Sequence, residues 1–232
     1  MKLTQLSPTL WQVTFLGFSN AYLMREDHDF TLIDTSLSGS ADKLIAAARQ
    51  CQGRIARILL THAHGDHVGS LDKLRASLGE VSIAISEREA PLLHKDLSLR
   101  ADEPQHPLKG FLFPGAKSRP THTLTEGELF GSLRCIYTPG HTPGHMSFLD
   151  ERDGTLIAGD ALVGIGGTLN VATHAPWWFP LPKLFTWDKP LANASAKKLV
   201  QYDPKMICTG HGPAIPNGAA ALQAALARER LV

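Results

Sequence analysis

The feature that most constrains this chain is the stretch THAHGDHVGS, residues 61–70. It follows ARILL, a continuously apolar run typical of a buried strand, and it precedes apolar residues at helical spacing. The stretch therefore predicts a turn from a strand into a helix. Three histidines and an aspartate within six residues favour metal binding, because these side chains are common metal ligands. A hydrogen-bonded polar turn without a metal is the alternative.

Apolar runs and helical periodicity alternate along the rest of the chain. The first 35 residues are typical of a β-meander, and a helix is predicted from Ser40 to near Gly53. VSIAIS, LRCIYT, HMSFLD, TLIAGD and KMICTG predict further strands, and ANASAKKLVQY (192–202) predicts a helix. We expect one α/β domain over residues 1–232, with two mixed β-sheets flanked by helices.

Two long segments lack periodicity, at about residues 94–123 and 164–190. Long irregular segments inside a compact domain are usually functional or disordered, and we expect these two to form the substrate pocket. The candidate pocket residues are Phe111, Phe113, His174, Trp177, Trp178, Phe179 and Trp187. Packing in the core or at an interface is the alternative for the aromatic residues, and a surface position is the alternative for His174.

The charge balance favours a small-molecule partner. The chain has 23 Lys and Arg against 22 Asp and Glu and no block of like charge, so no nucleic-acid or membrane partner is predicted. The N-terminus lacks the apolar run of a signal peptide, and the longest apolar stretch is interrupted by Asp160. We therefore expect a cytoplasmic protein, as a monomer or homodimer. The three cysteines are widely spaced, which indicates reduced thiols.

Spacing within the opening motif favours two adjacent metal sites. His62 and His64 are two residues apart, so in an extended segment both imidazoles project to the same side and can bind one ion. Asp66 and His67 follow where the chain changes direction, which can aim them at a neighbouring point.

Further candidate ligands follow later apolar strands. His141 and His145 lie in TPGHTPGH, Asp160 in IAGDA and His211 in CTGHGP, each close to glycines that permit tight backbone bends. The combined set is larger than one ion with an open position needs. Two divalent ions sharing the set is therefore the better hypothesis.

The motif HAHGDH resembles the H-x-H-x-D-H signature of the metallo-β-lactamase-fold hydrolases, and TPGHTPGH, GDA and GHG are similar to that superfamily's later motifs, in order. The resemblance covers residues 30–213 in outline. It implies a four-layer αβ/βα sandwich with the site along one edge of the sheets. It also implies a ligand set: His62, His64 and His141 for the first ion, Asp66, His67 and His211 for the second, and Asp160 bridging both.

Two more residues resemble family positions that support the ligands. Asp34, in LIDTS, is similar to an aspartate that supports the metal loops, although many relatives have Gly where this chain has Ser36. His145 is similar to a family residue that lies outside the ligand set. The alternative is that His145 is a hydrogen-bonded histidine of the core without a role at the metal site.

The resemblance implies an enzyme of the glyoxalase II and lactonase-like branch, because antibiotic-degrading β-lactamases of this fold typically lack the bridging aspartate. We expect a binuclear hydrolase in which a hydroxide held between two ions attacks an ester, lactone or thioester. Asp66 is the candidate catalytic residue, orienting the nucleophile and passing a proton to the leaving group. Zinc is the expected metal, and manganese, iron or cobalt would also suit these ligands. A mononuclear iron dioxygenase acting on glutathione persulfide and a non-enzymatic metal-binding protein are the alternatives.

Overall fold

The computed structural model describes residues 1–231. Contacts divide the chain into two compact units. Unit one comprises residues 1–96 and 110–124, and unit two comprises residues 97–109 and the chain from residue 125 onwards. The prediction of a single domain stays a prediction. No helix within residues 1–231 is long and apolar enough to cross a membrane.

Unit one is built on a seven-stranded mixed sheet whose spatial order follows the sequence. The first four strands pair antiparallel, and the fourth to seventh pair in parallel. The strands are β1 Lys2–Gln5, β2 Leu10–Phe15, β3 Ser19–Glu26, β4 Asp29–Ile33, β5 Ile55–Leu59, β6 Ser82–Ser86 and β7 His122–Leu124, and the helices are α1 Ala41–Gln50, α2 Gly65–Val68, α3 Leu71–Leu78 and α4 Glu89–Leu93. The predicted meander is confirmed as β2 to β4. Strand β1 was missed because Lys2–Gln5 has no apolar run.

Unit two contains a six-stranded mixed sheet in the order β15-β14-β11-β10-β9-β8 and a separate pair, β12 and β13. The strands are β8 Leu129–Phe130, β9 Leu133–Tyr137, β10 Met146–Asp150, β11 Thr155–Gly159, β12 Leu162–Val163, β13 Asn170–Val171, β14 Met206–Thr209 and β15 Ile215–Pro216, and the helices are α5 Leu181–Phe185, α6 Lys189–Lys198 and α7 Gly218–Arg228. Leu156, Leu199, Ile207 and Leu222 are fully buried in its core. Two mixed sheets with flanking helices are therefore confirmed.

Helix α6 begins three residues earlier than the sequence pattern predicts. The Asp188 side chain accepts a hydrogen bond from the Leu191 backbone N–H at 2.8 Å, and Pro190 occupies the first turn. Both are helix-start signals that do not depend on apolar periodicity. The predicted end is also wrong, because Leu199–Tyr202 forms a 3₁₀ turn.

A buried carboxyl group joins the end of the chain to β13. Glu229 follows α7, and its side chain is 4% exposed. One carboxylate oxygen accepts the Val171 N–H at 3.1 Å, and the other lies 3.2 Å from His174 Nδ1. Burial raises the pKa of Glu229 to about 7, although the Val171 N–H and Arg228 act in the opposite direction. The folded protein therefore binds a proton at Glu229 more tightly than the unfolded chain does.

This raised pKa predicts that the free energy of unfolding contributed by Glu229 falls as pH rises from about 4.5 to about 7, by up to about 3 kcal/mol. Glu229→Gln keeps an acceptor for Val171 but cannot ionise. We expect the variant to be more stable than the wild type at pH 8 and nearly equal to it at pH 4.5. Urea unfolding in the presence of EDTA measures both; a stability difference that does not change with pH would contradict the prediction.

Candidate metal centre

The metal-binding motif of unit one lies where parallel strands end. Strands β4, β5 and β6 run in parallel, with Ile33 opposite Leu59 and Leu59 opposite Ala84. Asp34 directly follows β4, and the THAHGDH turn follows β5 into α2. Because the carboxyl ends of parallel strands meet at the same edge of a sheet, these side chains converge.

Four potential ligands of this motif form a compact group. The imidazole centroid of His62 lies 4.7 Å from that of His64 and 4.0 Å from that of His67. His67 Nε2 lies 3.8 Å from an Asp66 carboxylate oxygen. The three histidines are buried, whereas the Asp66 side chain is 32% exposed. Asp66 is therefore the member of the group that solvent can reach.

Asp34 fixes the orientation of two of these histidines. Its Oδ2 accepts hydrogen bonds from His67 Nδ1 and from the Thr61 hydroxyl, both at 2.8 Å, and its Oδ1 accepts the Thr61 N–H at 2.9 Å. The Thr61 hydroxyl thus donates to Asp34, so it accepts from His62 Nδ1 at 3.0 Å. Both imidazoles are thus held through a hydrogen on Nδ1, so a metal ion would bind through Nε2.

Glu89 supports the same loop and was missed in the sequence. Its side chain is fully buried at the start of α4, just after β6, and its Oε1 accepts the Ala63 N–H at 3.0 Å. Ala63 lies between His62 and His64, so this bond holds the backbone that carries both. The signal was available, since SEREA follows a parallel strand as the other acidic candidates do.

Unit two contains a second group, centred on Asp160. Asp160 and His211 follow the parallel neighbours β11 and β14, where Gly159 lies opposite Thr209, and His141 lies in the turn between β9 and β10. One Asp160 oxygen, Oδ2, lies 3.5 Å from His141 Nε2 and 3.2 Å from His211 Nε2. Asp160 Oδ2 therefore lies close to the imidazole nitrogens of two other candidate ligands.

Thr186 orients His141 through a hydrogen bond, as Thr61 orients His62. The Thr186 hydroxyl donates to the Pro182 carbonyl at 2.8 Å, so it accepts from His141 Nδ1 at 3.2 Å. His141 therefore presents Nε2 towards Asp160. Thr186 was not singled out in the sequence, because a lone threonine in an irregular segment carries no pattern.

His145 supports Asp160 through the backbone. Its Nε2 accepts the Asp160 N–H at 3.0 Å, so its Nδ1 donates to the Thr138 hydroxyl at 2.8 Å. The series of hydrogen bonds continues: the Thr138 hydroxyl donates to the Ser147 hydroxyl, which donates to the Ala158 carbonyl. Both ring nitrogens of the fully buried His145 thus make hydrogen bonds within the protein.

The candidate pocket residues occupy different environments. In unit one, Phe113 is buried with its ring 4.9 Å from that of His64, whereas Phe111 is 74% exposed. In unit two, the ring of Phe179 lies 5.5 Å from that of His211.

The remaining candidates also lie in unit two. Trp177 and Trp178 are exposed, and the Trp187 indole donates to the His106 carbonyl at 2.7 Å. His174 Nδ1 contacts the Thr173 hydroxyl at 2.8 Å and lies near Glu229. The pocket assignment stays a prediction.

The donor set fits divalent metal ions. His62, His64, Asp66, His67, His141, Asp160 and His211 all belong to groups of His and Asp side chains that could hold a metal ion. Imidazole nitrogens and carboxylate oxygens are normal zinc ligands, and neutral imidazoles with Nδ1 engaged are ready to bind through Nε2.

Comparisons with known proteins agree with this chemistry. The family model for the metallo-beta-lactamase superfamily matches residues 14–211. YobT of Bacillus subtilis is 48% identical over 215 residues, which are 91% of each chain. YflN of Bacillus subtilis, named a probable metallo-hydrolase, is 28% identical over 84% of this chain and 80% of its own length. The structure of TTHA1623 in a di-iron-bound form matches with a TM-score of 0.64 and 27% identity, over 95% of this chain and 97% of that one.

The chain therefore belongs to the metallo-beta-lactamase superfamily, and the predicted fold class is confirmed.

The Glu89 contact predicts a role in metal affinity. Glu89→Leu removes the acceptor of the Ala63 N–H at similar volume, and we expect zinc affinity to fall about tenfold to a hundredfold, as is typical when a group supporting a ligand is lost. Glu89→Gln retains an acceptor oxygen and is the matched control, with affinity close to that of the wild type. Competition with a chromophoric chelator measures both. Unchanged affinity in Glu89→Leu would show that the bond does not position the ligands.

Proposed function

We propose that the protein is a binuclear metal-dependent hydrolase that acts on an ester, lactone or thioester. The observation that carries this proposal is the position of Asp160 Oδ2 between His141 Nε2 and His211 Nε2. A carboxylate shared by two ions distinguishes a binuclear centre from a mononuclear one. Membership in the superfamily and the presence of metallo-hydrolases among the relatives support the reaction type.

The proposed ligand allocation divides the seven residues into two sets. Under this proposal the first ion binds His62, His64 and His141, the second binds Asp66, His67 and His211, and Asp160 binds both. The support for this allocation is the order of the motifs and the hydrogen bonds that engage Nδ1 of His62, His67 and His141, so that a metal ion would bind through Nε2. Bound divalent ions would supply Lewis acidity and lower the pKa of water towards 7.

Asp66 is the proposed acid and base. Its carboxylate is 32% exposed in a group of buried histidines, so water and substrate can reach it. In the proposed reaction Asp66 orients the attacking water, accepts its proton and delivers that proton to the leaving oxygen or sulfur. The buried histidines serve as ligands and take no part in the proton transfer.

The remaining features of the proposal concern metal and partners. Zinc is the proposed metal, and the di-iron form of TTHA1623 makes iron a specific competitor to be measured. The substrate is proposed to be a small molecule. The absence of nucleic-acid and membrane partners, the cytoplasmic location and the monomeric or dimeric state stay predictions.

Metal content and catalysis test the proposal together. We expect about two metal ions per chain, hydrolysis of at least one member of a panel of esters, lactones and thioesters, and loss of hydrolysis on treatment with a chelator. Asp66→Asn should lower kcat by about 10²–10⁴-fold, because it removes the proton-transfer group. Asp42→Asn, at an exposed position in the first turn of α1, is the matched control and should leave kcat unchanged.

Two outcomes would contradict the proposal. One iron per chain with oxygen consumption would assign the protein to persulfide oxidation instead. Failure of the metal-loaded protein to hydrolyse any panel member would favour a non-enzymatic metal-binding protein.

A further inference from the structure

Unit two exposes a cluster of large apolar side chains. Of the eight large hydrophobic residues that are exposed in the described chain, four lie within eight consecutive positions: Trp177 (88% exposed), Trp178 (54%), Leu181 (42%) and Leu184 (52%). We call these four residues the apolar ridge. Exposure of apolar side chains to water is unfavourable. A cluster of exposed apolar side chains is therefore typical of a surface that binds a ligand or another protein.

The apolar ridge lies in the segment of residues 177–186, which contacts two candidate metal ligands. The ring of Phe179, within the segment, lies 5.5 Å from the ring of His211. The hydroxyl of Thr186, at its end, lies 3.2 Å from His141 Nδ1. The apolar ridge therefore belongs to a segment that also contacts the Asp160 group inside unit two.

Local contacts hold the segment in place. The Trp187 indole donates to the His106 carbonyl, and Lys109 Nζ donates to the Leu184 carbonyl. Trp178 lies over Gly166, where an added Cβ would come within 3.1 Å of the indole. A backbone that is fixed by such contacts presents the exposed side chains in a defined arrangement, which lowers the entropic cost of binding a ligand.

The chemistry of the segment indicates what it binds. Between His174 and Trp187 the sequence contains one charged residue, Lys183, and no acidic residue. Such a surface offers little to a polar or cationic group. It suits an aliphatic chain, which gains free energy with each methylene that leaves water.

We propose that the apolar ridge binds the acyl chain of the substrate, so that the protein prefers medium-chain or long-chain acyl esters, lactones or thioesters over short ones. The preference for chain length rests on the proposed hydrolase function. The binding of an aliphatic chain by the apolar ridge does not, and the two can be tested separately.

The test compares p-nitrophenyl esters from acetate to decanoate with the zinc-loaded protein. For the wild type we expect kcat/KM to rise by about twofold to fourfold for each added methylene that the ridge covers. In the double variant Trp177→Ala/Leu184→Ala the ratio of kcat/KM for decanoate to that for acetate should fall at least tenfold. Leu129→Ala, in β8 and 53% exposed, is the matched control and should keep the wild-type ratio.

Calorimetric binding of decanoate and acetate provides a readout that does not require turnover. One possible result is that no ester, lactone or thioester of the panel is hydrolysed, but the wild type binds decanoate at least tenfold more tightly than acetate and the double variant does not. In that case the acyl-binding ridge stands and the hydrolase proposal fails. Hydrolysis without dependence on chain length would overturn the ridge proposal alone.

Two further results would overturn the assignment of the apolar ridge. One is the absence of both hydrolysis and selective decanoate binding, which would overturn both proposals. The other is a wild-type dimer that the double variant abolishes, without any preference for long chains; this would assign the apolar ridge to contact with a second copy of the chain.

Discussion

The buried carboxylate of Asp34 is the interaction on which the metal-binding motif depends. Burying a charge is costly unless hydrogen bonds compensate for it, and here three donors do so, two from Thr61 and one from His67. The backbone of Asp34 lies in the left-handed region, with φ of 59°, which orients the carboxylate at some cost in strain. This one carboxylate thereby fixes the ring orientation of His67 directly and that of His62 through Thr61. In the proposed allocation these two histidines bind different ions, so Asp34 helps to orient ligands of both ions.

The Asp160 group follows the same principle with neutral partners. Thr186 and Thr138 donate their hydroxyl hydrogens in hydrogen bonds, to the Pro182 carbonyl and the Ser147 hydroxyl respectively. Each hydroxyl oxygen therefore accepts a hydrogen bond from an imidazole Nδ1–H, Thr186 from His141 and Thr138 from His145. Both imidazoles are therefore held in orientation through a hydrogen on Nδ1. A ligand imidazole that is already oriented in this way needs little rearrangement to bind a metal ion.

The sequence predicted those parts of the site that have a dense or repeated signal. Residues 62–67 concentrate four potential ligands, and His141, Asp160 and His211 each follow a strand beside glycine. Glu89, Thr61 and Thr186 were missed because their roles depend on contacts with residues that are close in space. A single hydroxyl has no local signature for such a contact, whereas the position of Glu89 just after β6 was a signal in the sequence.

Secondary structure shows the same division. Long apolar runs predicted β5, β6, β10, β11 and β14 correctly, because burial on both faces of a strand leaves a continuous signal. Short elements were missed where side-chain contacts decide them: α5 lies in a segment predicted to be irregular, and the start of α6 is fixed by the Asp188 cap.

The segment from Trp177 to Thr186 combines two properties that can vary independently of each other. Thr186 sets the tautomer of His141, so its hydroxyl and the turn around Pro182 are constrained by the metal chemistry. Trp177 and Leu184 expose their side chains to solvent, and neither side chain takes part in those hydrogen bonds. Preference for a substrate chain can therefore change at the exposed positions while the ligand geometry is retained. That separation is a physical reason why one metal-binding arrangement can serve many substrates.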